Sequence, residues 1–211
     1  MMLKVNEIFL SIQGEGISTG YPTVFLRLSG CNLRCLYCDT SYSYEDGEEM
    51  TMEEVLEKVT SYGYKRVCLT GGEPLLQQEI KTLLTALKEY EINIETNGSV
   101  DIRLFPLGEK HRFTMDIKTP SSGEAENNCL SNFKYLREND EIKIVIGDHQ
   151  DYLWAKDLLR QHYEQGIITF SPIYNRVDPK KIVQWMLEDG IDARFQLQLH
   201  KILWDPEERG V

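Results

Sequence analysis

At 211 residues and 41% hydrophobic content, with no Pro/Gly/Ser-rich linker, the chain suits one domain with one substantial core over residues 1–211. No run of about 18 apolar residues is present to span a bilayer, and the N-terminus lacks the basic-then-apolar profile of a secretory signal, so a cytoplasmic protein without a membrane role is expected. A net charge of −11, from 23 basic and 34 acidic residues, argues against a nucleic-acid partner and for a small-molecule substrate, because neutralising phosphates needs a concentrated basic surface.

Leu3 to Ile12 alternates apolar and polar residues as a strand does, then meets a glycine-bearing turn at Gln13 to Gly16. Thr23 to Ser29 is a second strand, and the pair reads as a hairpin that delivers the following cysteine loop. Arg27 sits inside that apolar strand, where a charge must be paired, exposed at an edge, or aimed at an anionic ligand. The acidic run Glu45 to Glu49 reads as a solvated loop leading into a helix. Thr51 and Glu54 have capping-box spacing, and Val55, Leu56 and Val59 supply that helix's apolar face. Arg66 to Thr70 is a strand, Pro74 opens a helix to about Tyr90, and Ile92 to Thr96 and His111 to Ile117 are strands. A short helix over Phe133 to Arg137 precedes a strand at Glu141 to Ile146. Helices at Asp151 to Gln165 and Pro179 to Asp189 flank a strand at Ile167 to Ser171, and Arg194 to Leu199 is the last strand. This order predicts an α/β fold with a parallel sheet and right-handed crossovers. The units are too few for a closed eight-fold barrel, so the expected form is an open, partial (βα) barrel with an N-terminal strand hairpin.

Functional groups in such sheets collect where strands end at their carboxyl edge. Cys31, Gly71, Asn97, Lys118 and Pro172 each follow a predicted strand, so their loops should share one mouth. Within that mouth Cys31, Cys35 and Cys38 are spaced C-x3-C-x2-C, which lets three thiolates face a common centre. Thiolates are soft ligands for zinc and for iron–sulfur clusters. A structural zinc site needs a fourth protein ligand, and Cys68, Cys129 and His111 lie in other elements. Three ligands suit a [4Fe-4S] cluster with one open iron. Burial as small hydrophobes is the bland alternative, and the polar, basic and aromatic neighbours argue against it. An odd total of five cysteines does not read as a disulfide framework.

With Tyr37 before the last of these cysteines and Gly71-Gly72-Glu73-Pro74 after the next strand, the chain resembles the radical S-adenosylmethionine (SAM) superfamily. Ser11 to Gly16, Cys38-Asp39-Thr40, Glu95 to Gly98 and the tail from Leu199 to Val211 extend the likeness, over nearly the whole chain, to the 7-carboxy-7-deazaguanine synthase family. The resemblance implies a [4Fe-4S] cluster on Cys31, Cys35 and Cys38, SAM on the open iron, and Mg²⁺ on Thr40 with Asp39 as the runner-up ligand. Magnesium's habit of few protein ligands and retained waters agrees. The implied reaction converts 6-carboxy-5,6,7,8-tetrahydropterin to 7-carboxy-7-deazaguanine with loss of ammonia, for queuosine-type 7-deazapurines. A radical derived from SAM would start it, with SAM regenerated. Implied partners are a reductant such as flavodoxin and a second copy in a homodimer.

The resemblance also distributes roles along the chain. Ile12, Gln13, Gly14 and Glu15 would line the substrate, with Glu15 accepting two hydrogen bonds from its pyrimidine edge. Arg27 would meet the substrate carboxylate by a fork that Lys could not reproduce. Thr70 and the terminal Val211 would also touch the substrate; His200 is either a substrate partner or a satisfied core histidine. Tyr37, Cys38, Asp39 and Gly72 would line SAM. Asp116, Ile117 and Lys118, and then Ser171, Pro172, Ile173 and Tyr174, would complete the SAM contacts, although these two segments depart from the family's commoner forms. Cys68 and Cys129 read as structural, and no residue is assigned as acid or base. Two rivals are weighed: a glycyl-radical-enzyme activating protein, which should lack the Gln13/Glu15/Arg27 set, and a non-catalytic metal-binding module, which should offer four protein ligands.

Overall fold

The structure is a computed structural model describing residues 1–211. Strand β1 (Met2–Ile12) pairs antiparallel with β2 (Pro22–Leu28), with the Phe9 and Phe25 rings stacked across the pair at 4.9 Å. A bulge between Val5 and Glu7 sets Glu7 opposite Arg27, and the two form an ion pair at 2.7 Å. From β2 the sheet continues in parallel through β4 (Arg66–Gly71), β5 (Glu91–Thr96), β6 (His111–Ile117), β7 (Glu141–Ile146), β8 (Ile167–Pro172) and the two-residue β9 (Arg194–Phe195). The ninth strand, β3 (Glu48–Thr51), lies outside β1, so the order is β3-β1-β2-β4-β5-β6-β7-β8-β9. The two edges do not meet, and the expected open partial barrel is what forms.

Alternation along the parallel strands divides two environments. Ile92 and Ile94, Phe113, Met115 and Ile117, and Ile142, Ile144 and Ile146 belong to one buried apolar core with residues of helices α1 (Met52–Ser61), α3 (His149–His162) and α4 (Pro179–Asp189). Their neighbours Glu95, Thr114, Asp116 and Lys143 line the concave side. A parallel strand is ordinarily apolar on both faces. Here one face is polar, which needs a use for the charges it carries.

Four sequence expectations change. The acidic run is partly an edge strand: Glu48 to Thr51 pair with Val5 to Met2, and charge on an edge discourages further pairing. Thr51 does cap α1, its hydroxyl accepting from the Glu54 N–H while the Glu54 carboxylate accepts from the Thr51 N–H. The helix from Pro74 to Tyr90 is instead a 3-10 turn (Pro74–Leu76) and a short α2 (Ile80–Ala86). Gln77 breaks it in an extended conformation, its side chain bonding the backbone of Lys4 and Ser29 and so tying this loop to β1 and β2. The last strand stops at Phe195, because Gln196 turns its amide onto Gly16 and the chain then enters α5 (His200–Leu203). The helix expected over Phe133 to Arg137 is a 3-10 segment, Leu130–Tyr135. No helix is long and apolar enough to cross a membrane.

A candidate active site at the carboxyl edge of the sheet

A cavity of about 690 Å³ opens at the carboxyl edge, walled by the β1–β2 turn, the cysteine loop, the ends of β4 to β7 and the tail. Cys31, Cys35 and Cys38 line one side of it as free thiols. The loop that carries them is held from several directions. The Leu36 N–H donates to Ser122 O at 3.0 Å, the Arg34 N–H to the Glu124 carboxylate at 2.7 Å, and the Asn97 amide reaches the Cys31 sulfur at 3.7 Å. Burial pushes the Cys35 thiol up to about 11, against the pull of Lys118. Loading metal on this thiol must therefore release its proton. No three His, Cys, Asp or Glu side chains converge to hold a single metal ion. A four-iron cluster does not require that, since it gives each thiolate its own iron.

Gly72 shows how closely the next loop approaches. A Cβ there would stand 2.8 Å from the Cys31 Cβ and collide with Gly30 O, so only glycine lets this backbone lie against the cysteine loop. Glu73, the acidic residue of that loop, points the other way. Its fully buried carboxylate accepts from the Leu75 N–H, the Thr96 hydroxyl and the Asn97 N–H, at 2.6–3.0 Å, and it does not line the cavity. What faces the cavity is glycine backbone. Tyr37 also lines the cavity, its hydroxyl buried without a hydrogen-bond partner in the chain. Small backbone, free thiols and an unpartnered phenol fit a cluster with a polar ligand.

Opposite this wall the polar strand faces meet the β1–β2 turn. Gln13 donates to Glu95 at 3.1 Å, and the Thr70 hydroxyl donates to the other Glu95 oxygen at 3.0 Å. Glu15 pairs with Lys143 at 2.5 Å and accepts from Gln198 at 2.8 Å. Lys143 also approaches Asp116 at 3.6 Å, and Asp116 pairs with Lys118 at 2.8 Å. Burial pushes the Glu15 carboxyl up, but Lys143 and His200 outweigh it and the net displacement is downward. Arg27 lies between the Phe9 and Tyr42 rings, its guanidinium carbon 5.8 Å from each ring centre. The ion pair with Glu7 uses its Nε alone, and its terminal nitrogens make no hydrogen bond within the chain. That leaves the fork available to a ligand.

The tail closes the remaining side. Asp205 to Val211 line the cavity, and the Arg209 guanidinium stands 3.7 Å over the Tyr42 ring. Lys201 binds Asp39 at 2.6 Å, and Asp39 accepts from the Thr40 hydroxyl at 3.0 Å, so the tail is latched beside Cys38. His200 lies against Gly14, whose bare Cα makes room for the imidazole.

Most of the residues singled out in the sequence thus share one cavity: Ile12, Gln13, Gly14, Glu15, Arg27, Thr70, His200 and Val211 on the turn-and-tail side, and Tyr37, Cys38, Asp39, Thr40, Gly72, Asp116, Lys118, Ile173 and Tyr174 with the other two cysteines. Three do not line it. The Ile117 side chain is in the apolar core, because strand alternation turns it away as it turns Asp116 inward. Ser171 is buried, and Pro172 lines a neighbouring cavity of about 420 Å³ with Ile173 and Tyr174. Lys143 and Gln198 escaped the sequence reading. Lys143 could have been found, since it interrupts Glu141-Ile-Lys-Ile-Val-Ile as Arg27 interrupts β2.

The sequence profile of the radical SAM superfamily matches residues 26–186. The chain is 42% identical to the 7-carboxy-7-deazaguanine synthase of Chlorobaculum tepidum, with 99% of this chain and 97% of the relative covered. It is 41% identical to that of Clostridium acetobutylicum, over the full length of both. The chain belongs to the 7-carboxy-7-deazaguanine synthase family of radical SAM enzymes. The backbone agrees: QueE from Escherichia coli superposes with a TM-score of 0.73 at 23% identity over 95% of each chain, which shows the shared fold. A radical SAM methyltransferase from Sphaerobacter thermophilus gives 0.59 at 16% identity, over 85% of this chain and 68% of the other. A radical SAM enzyme of the 7-carboxy-7-deazaguanine synthase family carries a [4Fe-4S] cluster and uses SAM, and the cysteine wall is where this chain can hold them. The activating-protein alternative finds no support in these relatives.

Proposed function

We propose that the protein is a cytoplasmic, single-domain 7-carboxy-7-deazaguanine synthase that converts 6-carboxy-5,6,7,8-tetrahydropterin to 7-carboxy-7-deazaguanine with loss of ammonia, for queuosine biosynthesis. The observation that carries this reading is that the three-cysteine loop and the Gln13/Glu15/Arg27 set wall the same cavity. When bound, the cluster and SAM would supply a 5′-deoxyadenosyl radical. The chain's own contribution is to hold and orient. Cys31, Cys35 and Cys38 would ligate the cluster. Gly72, Tyr37, Asp39, Asp116 and Lys118 would seat SAM, with Ile173 and Tyr174 at the far side and Ile117, Ser171 and Pro172 contributing backbone at most. Glu15 would accept from the pyrimidine edge, the free fork of Arg27 would take the substrate carboxylate, and Gln13, Thr70, His200 and the tail through Val211 would enclose the ring. Flavodoxin as reductant and a homodimeric assembly are part of the proposal by resemblance to the family.

Anaerobic incubation of the reconstituted protein with SAM, dithionite and substrate deuterated at C6 tests the activity directly. Product should form, and label should appear in recovered SAM, because the hydrogen removed mixes with those of a methyl group before one returns. Stoichiometric loss of SAM with no label in the remainder would count against the reading.

Mg²⁺ at Thr40 belongs to the same proposal. The Thr40 hydroxyl is occupied only by Asp39, and it lines the cavity, so one oxygen is free to join substrate oxygens and water around the ion. Thr40→Ala should blunt the response of activity to added Mg²⁺ while the cluster absorbance is unchanged. An unaltered magnesium titration would remove Thr40 from the site.

A further inference from the structure

We propose that Lys143 is the positioning residue for pterin recognition: its ammonium holds Glu15 ionised and aimed as a two-oxygen acceptor for the pyrimidine edge. The inference rests on the reading that Glu15 meets the pterin. Glu15 comes from the β1–β2 turn with its side chain only 14% exposed and its Oε2 buried, where an unpaired carboxylate would be costly. The charged groups facing this place are Glu95 from β5, Asp116 from β6 and Lys118 just after it, Lys143 from β7 and His200 from α5. Two of these are further carboxylates. Lys118 pairs with Asp116 at 2.8 Å and Arg27 reaches Glu7 through Nε, and neither contacts Glu15; Lys143, at 2.5 Å, is the cation that does.

The same geometry argues against Lys143 as a proton donor to the departing ammonia. Burial acts to lower its affinity for the proton, but Asp116, Glu15 and Glu95 raise it well above the ordinary lysine range. An ammonium so held gives up its proton poorly. Its effect is on Glu15. An ionised carboxylate presents acceptors on both oxygens, whereas a protonated one presents a donor to one of two adjacent N–H groups. Without Lys143 the nearby Glu95 and Asp116 would favour protonation of Glu15, and the match to the pterin would be lost.

The test is equilibrium dialysis of 6-carboxytetrahydropterin against the reconstituted protein with SAM and no reductant, so that binding is read without turnover. Wild-type and variants are compared at each pH from about 6 to about 9, so that titration of the pterin itself cancels. Lys143→Met should weaken binding about tenfold or more near neutral pH and recover part of the loss as pH rises and Glu15 ionises. A pH-independent loss, as a packing defect would give, overturns the proposal; so does wild-type affinity. Should Lys143→Met not fold, Lys143→Arg decides: it keeps the charge and should bind within about threefold of wild type, and a loss as large as that of Glu15→Gln overturns the proposal. Glu15→Gln tests the underlying reading separately. Unchanged binding in that variant removes Glu15 from the substrate site, whereas lost binding there with wild-type behaviour in Lys143→Met sinks the role of Lys143 alone.

Discussion

Cys35→Ala is expected to abolish both the iron–sulfur absorbance and SAM cleavage, while Cys68→Ala and Cys129→Ala retain both. The three loop cysteines are half-buried, free and set around one cavity. Cys68 is fully buried within β4, and Cys129 lies in a separate loop with the Ser131 hydroxyl at 3.3 Å. Neither lines the cavity. If each of the three thiolates holds one iron, as proposed, loss of any one removes a ligand that no other cysteine lining the cavity replaces. Truncating Cys68 removes one buried sulfur and should cost about 1 kcal/mol of stability. Iron content and the visible spectrum of anaerobically reconstituted variants check this; equal loss of iron from Cys68→Ala would overturn the three-ligand assignment.

How much of this could be read from the sequence follows from what kind of interaction fixes each part. The parallel strands were legible because Ile92, Ile94, Ile142 and Ile144 mark them as buried. The cysteine loop, whose three thiols wall one cavity, was legible because those cysteines lie close together in the chain. What stayed hidden is non-local. The break after Leu76 exists because Gln77 finds acceptors and a donor on β1 and just past the end of β2, some 50 to 70 residues away, and nothing near Gln77 announces it. The β3 edge strand is acidic and short, and forms because β1 offers it unpaired backbone. Lys143 is a mixed case: its charge within an apolar strand is visible in the sequence, but its partners Glu15 and Asp116 come from other strands and turns, so its role is fixed only when the sheet curls. Arg27 shows the limit from the other side. Its charge within an apolar strand leaves a partner, an edge or an anionic ligand open, and Glu7 becomes its partner through a bulge that the local pattern does not reveal.

Glu73→Gln is expected to lower stability most at acidic pH, with the gap to wild type closing by about 3 kcal/mol as pH rises from about 4.5 to about 8. Burial pushes the Glu73 carboxyl up to about 7, against hydrogen bonds from Asn97, Leu75 and Thr96 that favour its ionised form. A carboxyl whose folded value lies above its unfolded value binds its proton more tightly in the fold. Its stabilising contribution is therefore complete below the ordinary glutamate range and is lost as pH rises through about 7. Glutamine does not titrate, so the difference between the two proteins isolates this one group from Asp116 and Glu15, whose downward displacements act in the opposite sense. Glutamine also presents an NH₂ group where Glu73 accepts from Thr96 and Asn97, so a penalty of about 1–3 kcal/mol should remain at high pH. The consequence reaches the cavity, because Asn97 is the residue whose amide touches the Cys31 sulfur, and Gly72 precedes Glu73 in the loop packed on Cys31. Urea unfolding of the cluster-free proteins across this pH range is the measurement. A gap that stays constant with pH would show that the three donors keep Glu73 ionised throughout, and that burial does not govern it.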